Sequence, residues 1–489
     1  MREKKNRETA RQSESLISEG IPVSGQATFA GGEQLSEETP VHEAGELSES
    51  EKYVKTVSAQ IRCKMARKSL EAEMRQHIEE QAEEYLMEGM DRETAEREAV
   101  RQMGDPVETG AELDRIHRPS MPWKTILMIT VLSVVGLGMR VLLQENTGAD
   151  MFLSGSVLKQ CGLILAGLTA MIAVCMLDYS RIGQYVKYIL CILYVFSAAG
   201  LWMFGRRING AVRWIELSGV SINITNMAVL FVPLYAAVLY GKRKGGYGDL
   251  IRSSLWMLSE VLILWYAPNI WELAFLMVCL AVTLTVAVNQ GWFSVKKKLV
   301  NGVVWGGMFG IPAVGVLLLL RQDGYQARRL LAFAGNRTVE SWQQVQIGRM
   351  LAGSKMIGSG SGPMADVSSA DNVLSFFIAY YGMFAAALLI AAILALFFHL
   401  LRVSMRQQNQ LGFLMGVSIS LAFLLRILFY VMENTGCLPV VTVSECPFLS
   451  YGGTGIIVMY MMMGVILSIC RYQSVMPHER IPGNAAQQV

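Results

Sequence analysis

The run Cys446-Pro447-Phe448-Leu449-Ser450-Tyr451-Gly452-Gly453-Thr454-Gly455 sets a proline, two hydroxyls and paired glycines at the mouth of the last apolar stretch. Pro447 ends an extended approach, Gly452 and Gly453 permit positive φ and close backbone approach, and Ser450 and Tyr451 present hydroxyls beside a helix N-terminus. A second candidate is Asp371, just before the apolar run from Val373. A carboxylate there either caps the helix or takes a proton from a substrate hydroxyl. Asn209-Gly210-Ala211-Val212-Arg213-Trp214-Ile215 puts a guanidinium beside an indole, a pairing that also anchors chains at a membrane interface. Residues 321–372 add Tyr325, Arg329, Gln346 and Gly358-Ser359-Gly360-Ser361-Gly362, a glycine run that by itself reads as a flexible hinge before a phosphate cradle.

The elements that must position these groups are membrane helices. Of 489 residues, 52% are apolar and 17% charged, a membrane protein's composition carrying a soluble piece. A net charge of +3 argues against nucleic acid as a partner. No Cys-x-x-Cys pairs occur and the five His are scattered, so no metal ligands are assigned. Cys161, Cys175, Cys191, Cys279 and Cys470 lie in apolar runs; Cys437 and Cys446 share one loop, where a disulfide is possible but free thiols are favoured.

Residues 1–50, rich in Ser, Glu and Gly, read as a disordered tail, and the polar N-terminus is not a signal peptide. Residues 51–118 read as a small soluble helical domain, with Ile61, Leu70, Met74, Ile78 and Tyr85 recurring among charges and Asp91 as an N-cap. Residues 119–475 form the membrane domain, and 476–489 a tail. Ten apolar segments are expected, at 122–143, 157–178, 184–205, 224–241, 254–267, 270–290, 301–320, 373–400, 411–434 and 453–470, the fifth of them short. The fold class is therefore all-α and polytopic. Arg181 with Lys187, Lys242-Arg243-Lys244, Lys296-Lys297-Lys298 and Arg402 with Arg406 fall in alternate loops, which puts those loops and both termini in the cytoplasm. Arg206, Arg207 and Arg213, and in the long loop Arg328, Arg329, Arg337, Arg349 and Lys355, stay outside against that bias. Base held there points to an anionic ligand.

The Cys446–Gly455 run resembles the LPFxSYGGS signature of the FtsW/RodA/SpoVE (SEDS) family, and the Arg213-Trp214 run its NGxxRWI element. Tyr325 with Arg329, and Gln346 with Gly358 and Gly360, match further elements, and Asp371 stands where the family carries the Asp of its His-Thr-Asp-Phe motif. Residues 77–106 resemble the permease-prefix domain found ahead of some bacterial membrane proteins. The resemblance implies polymerisation of lipid II, an undecaprenyl-pyrophosphate disaccharide, at the outer face of the bacterial cytoplasmic membrane, amid membrane lipid. Asp371 would be the base, with Arg213, Trp214, Arg329, Gln346, Gly358, Gly360, Ser450, Tyr451, Gly452 and Gly453 on the substrate. A class B penicillin-binding transpeptidase would be the partner, and a divalent cation (Mg or Mn) a candidate cofactor. Rival readings are a lipid II flippase and a non-catalytic scaffold for division or sporulation partners.

The departures lie near the proposed base. Ser369 and Ala370 replace His-Thr, Asp366 and Val367 replace Pro-Glu, and Tyr380-Tyr381-Gly382 replaces Glu-Leu-Gly. The family's Gln-Pro-Ser-Glu-x-x-Lys run at the fourth segment reads here Asn223-Ile224-Thr225-Asn226-Met227-Ala228-Val229, so a charge pair is lost. Arg426 takes a Gln position and Tyr430 an Asn position. An ionised group at membrane depth is costly, so Arg426 should face the bundle interior and pair, with Glu433 or Glu260 as candidates.

Overall fold

The computed structural model describes residues 48–147, 156–208, 211–217, 220–267, 269–321, 342–358, 360, 372–437, 445–450, 452–473 and 475. Residues 1–47 of the expected N-terminal tail, the tail 476–489, Asp371, Tyr325, Arg329 and Tyr451 lie outside them, while residues 49 and 50, expected in the tail, already begin the first helix. Four helices come first: α1 (Glu49–Gln60), α2 (Lys64–Met87), α3 (Arg92–Gln102) and α4 (Pro106–Ile116). Asp91 caps α3 by accepting from the Thr94 N–H, and Asp105 caps α4 with Pro106 at its first position. Tyr53, Val54, Val57, Ile61, Leu70, Met74 and Ile78 form their shared core, into which Val475 is also buried. The Ser120 N–H donates to the Arg471 carbonyl, so these helices hold the end of the last membrane helix.

The membrane part begins with α5 (Trp123–Thr147), α6 (Ser156–Met176) and α7 (Tyr179–Phe204). There follow α8 (Ile224–Met227), a 3-10 turn, α9 (Phe231–Gly241), α10 (Tyr247–Tyr266), α11 (Ile270–Asn289), α12 (Lys297–Leu320) and α13 (Trp342–Ala352). The last four are α14 (Val373–Tyr381), α15 (Met383–Met405), α16 (Gln410–Asn434) and α17 (Thr454–Arg471). Among the described residues, 9 helices are long and apolar enough to cross a membrane.

Three sequence expectations need correcting. The segment 254–267 belongs to the longer α10, which carries Asp249, Arg252 and Glu260 and is not among those nine. The segment 373–400 is not continuous: Gly382, at φ 93°, breaks it into α14 and α15, a conformation that favours glycine. Residues 205–223 are not a plain loop but an antiparallel sheet of β1 (Gly205–Ile208), β2 (Ala211–Leu217) and β3 (Val220–Asn223). Ile208 pairs with Ala211 across the hairpin, and Asn209-Gly210 between them in the sequence is a signal for a tight turn.

The core runs through α9, α16 and α17, whose spans are mostly buried, while α12 is almost wholly exposed to its surroundings. α17 lies along α6, and Gly167 against Tyr460 and Gly464 against Met171 leave no room for a Cβ between them. α8 and α17 start at one end, where the Asn223 N–H donates to Thr454 Oγ1 at 3.1 Å. At the opposite end the Lys242–Lys244 turn is bonded to the next basic loop, Lys244 N–H to the Trp292 carbonyl at 2.6 Å and Ser294 N–H to the Gly245 carbonyl at 3.0 Å.

Candidate active site

The signature turn is closed by its own backbone and one hydroxyl. The Leu449 and Ser450 N–H groups donate to the Cys446 carbonyl at 3.3 and 3.1 Å, and the Cys446 N–H donates to Ser450 Oγ at 2.7 Å. Ser450 thus shapes the turn. Phe448 takes a positive φ of 70°, and it packs on Phe397 and Tyr460. Gly136 on α5 has no room for a Cβ, which would meet the Phe448 carbonyl oxygen at 2.1 Å.

Gly452 and Gly453 do not use the positive φ they permit, Gly453 lying at φ −79°. The small residues serve a carboxylate instead. A Cβ on Gly452 would lie 2.9 Å from Glu445 Oε1, and one on Gly455 would lie 1.4 Å from Glu445 Oε2. Glu445 is buried, and its Oε1 accepts from Asn226 Nδ2 at 2.5 Å. Burial pushes its pKa up to about 7; Arg426 and the Asn226 bond oppose that rise, and Glu272 adds to it. Gly455→Ala is therefore expected to expel the carboxylate from its seat and lower thermal stability, by about 1–3 kcal/mol in a melt of the purified protein. An unchanged melting point would contradict this seat.

Arg426 on α16 forms an ion pair with Glu272 in the first turn of α11 and lies over the Phe275 ring, 4.9 Å from its centroid. The partner found is thus Glu272 and not the expected Glu433, and the Glu260 side chain lies outside what the structure describes. Asn269 caps α11 by accepting from the Glu272 N–H, which fixes Glu272 at the helix start that packs on α16. Two cavities flank these groups. One small cavity lies between α6, the turn and α17, lined by Gln160, Glu445, Ser450, Gly452 and Tyr460 among others; a second includes Asn226, Val229, Arg426 and Gly455.

Arg213 and Trp214 lie on β2, whose partner β3 is tied to Thr454 at the start of α17. The Arg213 Nε is buried with no hydrogen-bond partner among the described residues, and burial pulls its pKa down. A half-buried cation of this kind favours an arriving anion. Gln346 is on α13, packed beside α14. Gly358 and Gly360 do not form a free hinge. The Met383 and Phe384 N–H groups donate to the Lys355 and Met356 carbonyls, both at 3.1 Å, and the Gly360 N–H donates to the Ala379 carbonyl at 3.0 Å. This loop therefore packs on the α14–α15 break. The N-cap of α14 is Asn372, which is buried, so Asp371 precedes the cap position. Ser375 anchors the helix start to α16, its Oγ donating to the Asn434 carbonyl at 2.7 Å.

Sequence reasoning missed Glu445, Glu272 as the ion-pair partner, and Gln160. An acid beside or inside an apolar run is the signal that pointed to the first two. All the described cysteines, Cys437 and Cys446 included, are free thiols. Among the described residues no three His, Cys, Asp or Glu side chains converge to hold a metal ion.

Comparison with known proteins gives a consistent picture. The profile of the cell cycle protein family FtsW/RodA/SpoVE matches residues 120–475. "Probable peptidoglycan glycosyltransferase FtsW" of Trichlorobacter lovleyi is 22% identical over 70% of this chain and 91% of its own length. "Peptidoglycan glycosyltransferase MrdB" of Escherichia coli K12 is 22% identical over 73% and 94%. Among solved structures, a chain of a peptidoglycan synthase complex that coordinates polymerization and crosslinking aligns with a TM-score of 0.59 and 20% identity, over 72% of this chain and 99% of that one. The rod shape determining protein RodA of Thermus thermophilus aligns with a TM-score of 0.53 and 17% identity, over 72% and 98%.

Proposed function

The chain belongs to the FtsW/RodA/SpoVE cell cycle protein family, and from that premise we propose that it is a peptidoglycan glycosyltransferase polymerising lipid II. One observation carries the reading. The signature turn and the sheet bearing Arg213 meet at the start of α17, and the turn is also packed against α5, which touches α14, the helix that follows Asp371 in the chain.

Asp371 takes the proton from the acceptor sugar's 4-hydroxyl as that oxygen forms a bond to the donor's anomeric carbon. The bond from that carbon to the pyrophosphate oxygen breaks, and the lipid pyrophosphate leaves with the electron pair. Proton removal by a placed carboxylate contributes about 10²–10⁴-fold. Arg213 and Arg329 meet the leaving group's charge, and the unpartnered Arg213 Nε supports that role. Ser450 and Gly452 act by shaping the turn. A divalent cation is an expectation tested by chelation with EDTA and return of Mg²⁺.

Among the described residues the cavities around Glu445 and Arg426 sit near the start of α17 and meet at Met459, while that around Asp178 and Arg181 lies toward its other end and shares no lining residue with them, which supports transfer over lipid flipping. The deciding experiment is polymerisation of labelled lipid II by the purified protein, with and without a class B penicillin-binding transpeptidase, the proposed partner. Glycan strands are the expected product. Inactivity with every such partner would favour the scaffold reading, which the missing charge pair at Asn226 and Val229 supports.

Orientation follows from charge. The basic loops and the N-terminal helices are placed in the cytoplasm, and residues 321–372 outside. A single cysteine at Gly324, in a background without the native cysteines, should react with an impermeant reagent in intact cells. Reaction only after permeabilisation would invert the topology.

A further inference from the structure

Glu445 has no part in the transfer step above, yet its setting is that of a binding group. Its Oε1 is held by Asn226, while its Oε2 is buried with no hydrogen-bond partner among the described residues. Gln160 on α6 lines the same cavity, and its carboxamide oxygen is also buried and unpartnered among them. Of the other polar groups there, Tyr460 is bonded to Ser133 and Ser450 accepts from the Cys446 N–H. The buried atoms that Glu445 and Gln160 leave unpartnered among the described residues are both acceptors, beside apolar walls of Ile164, Ile456 and Met463. Such a lining selects a ligand that brings hydroxyl or amide N–H donors on a carbon frame.

A second observation concerns where charge has moved. The Glu and Lys absent from the fourth span would have stood at Asn226 and Val229. Asn226 is the residue that Glu445 contacts, and Arg426 lines one cavity with Asn226 and Val229. A carboxylate and a cation therefore return to this place from the last loop and from α16.

We propose that Glu445 is a substrate-positioning residue whose Oε2 accepts a hydrogen bond from a sugar hydroxyl or acetamido N–H of the lipid-linked disaccharide. The proposal rests on the polymerase reading above. The groups acting on Glu445 are Arg426 from α16, Glu272 from α11 and the Asn226 carboxamide from α8, and the next residue in the chain is Cys446. Because Asn226 donates to Oε1, a proton taken up by Glu445 goes to Oε2 and turns the acceptor into a donor. With burial raising the pKa to about 7, the accepting form fills in as pH rises through that value. A glutamine at 445 fixes an N–H₂ where Oε2 stood and mimics the protonated state.

The test is direct binding of a short-prenyl lipid II analogue to the detergent-purified full chain at pH 6 and pH 8, beside turnover. The parent should bind roughly tenfold tighter at pH 8, following the fraction ionised. Glu445→Gln should bind at both pH values as weakly as the parent at pH 6, with its loss in KM more than in kcat. Adding Asn226→Glu to Glu445→Gln, which moves the carboxylate back to the fourth span, should recover binding at pH 8 to within about threefold of the parent. Folding is monitored separately. The folded-state pKa is raised from 4.5, so stability drawn from that proton is lost as pH rises through about 7, and Glu445→Gln should melt no lower than the parent at pH 8. A parent that binds and polymerises, with Glu445→Gln matching it at both pH values, overturns this proposal alone. A parent that neither binds nor polymerises overturns the polymerase reading with it.

Discussion

Asp371→Asn is expected to lower glycan polymerisation at least about a hundredfold while leaving expression and membrane insertion nearly intact. The amide is close in shape to the carboxylate and keeps an acceptor oxygen, but it is no effective base. A purely structural role predicts a stability loss on the order of 1 kcal/mol or less with turnover retained. The N-cap position of α14 is held by Asn372, whose side chain makes no capping hydrogen bond, so activity rather than position separates the two roles of Asp371. Asp366→Asn is the control, because it stands at a Pro position of the family pattern and should cost far less. Turnover of labelled lipid II by purified Asp371→Asn protein at the parent rate would remove Asp371 as general base.

The second large effect is on stability. Arg426→Leu leaves Glu272 in the bundle without its cation, and the side chains of this pair are 7% and 14% exposed. Removing one partner of a buried pair costs about 3–5 kcal/mol, because the remaining charge must be desolvated or neutralised. Glu272→Leu alone should cost a similar amount through the stranded guanidinium. The double variant, with both charges gone and the space filled by carbon, should recover most of the loss. Thermal unfolding of the four proteins in one detergent measures this coupling. If the double variant lost the sum of the two single losses, the pair would not be the interaction that holds α11 to α16.

Much of the architecture is legible in residue order. Apolar runs of membrane length, alternating basic loops and the cap Asp91 are local properties, set by hydropathy and by free N–H groups at a helix start. The family signature is local too, since one turn of ten residues carries it. Even the sheet had its sign in Asn209-Gly210, overlooked because its flanks lie between apolar helices.

What the sequence alone determined is thus the membrane class, the order of the spans and the place of Asp371 before the α14 helix. What only the tertiary structure decided is which distant groups meet. Arg426 pairs with Glu272, 154 positions away, and Asn226 holds Glu445, 219 positions away. No periodicity encodes such pairings. They follow from how the helix faces rotate and pack, which is fixed by the summed fit of many small contacts such as Gly136 on Phe448 and Gly464 on Met171. The glycines of the signature turn show the same division. Sequence marks Gly452 and Gly455 as small, but only the packed structure reveals that the space they leave is filled by the carboxylate of Glu445.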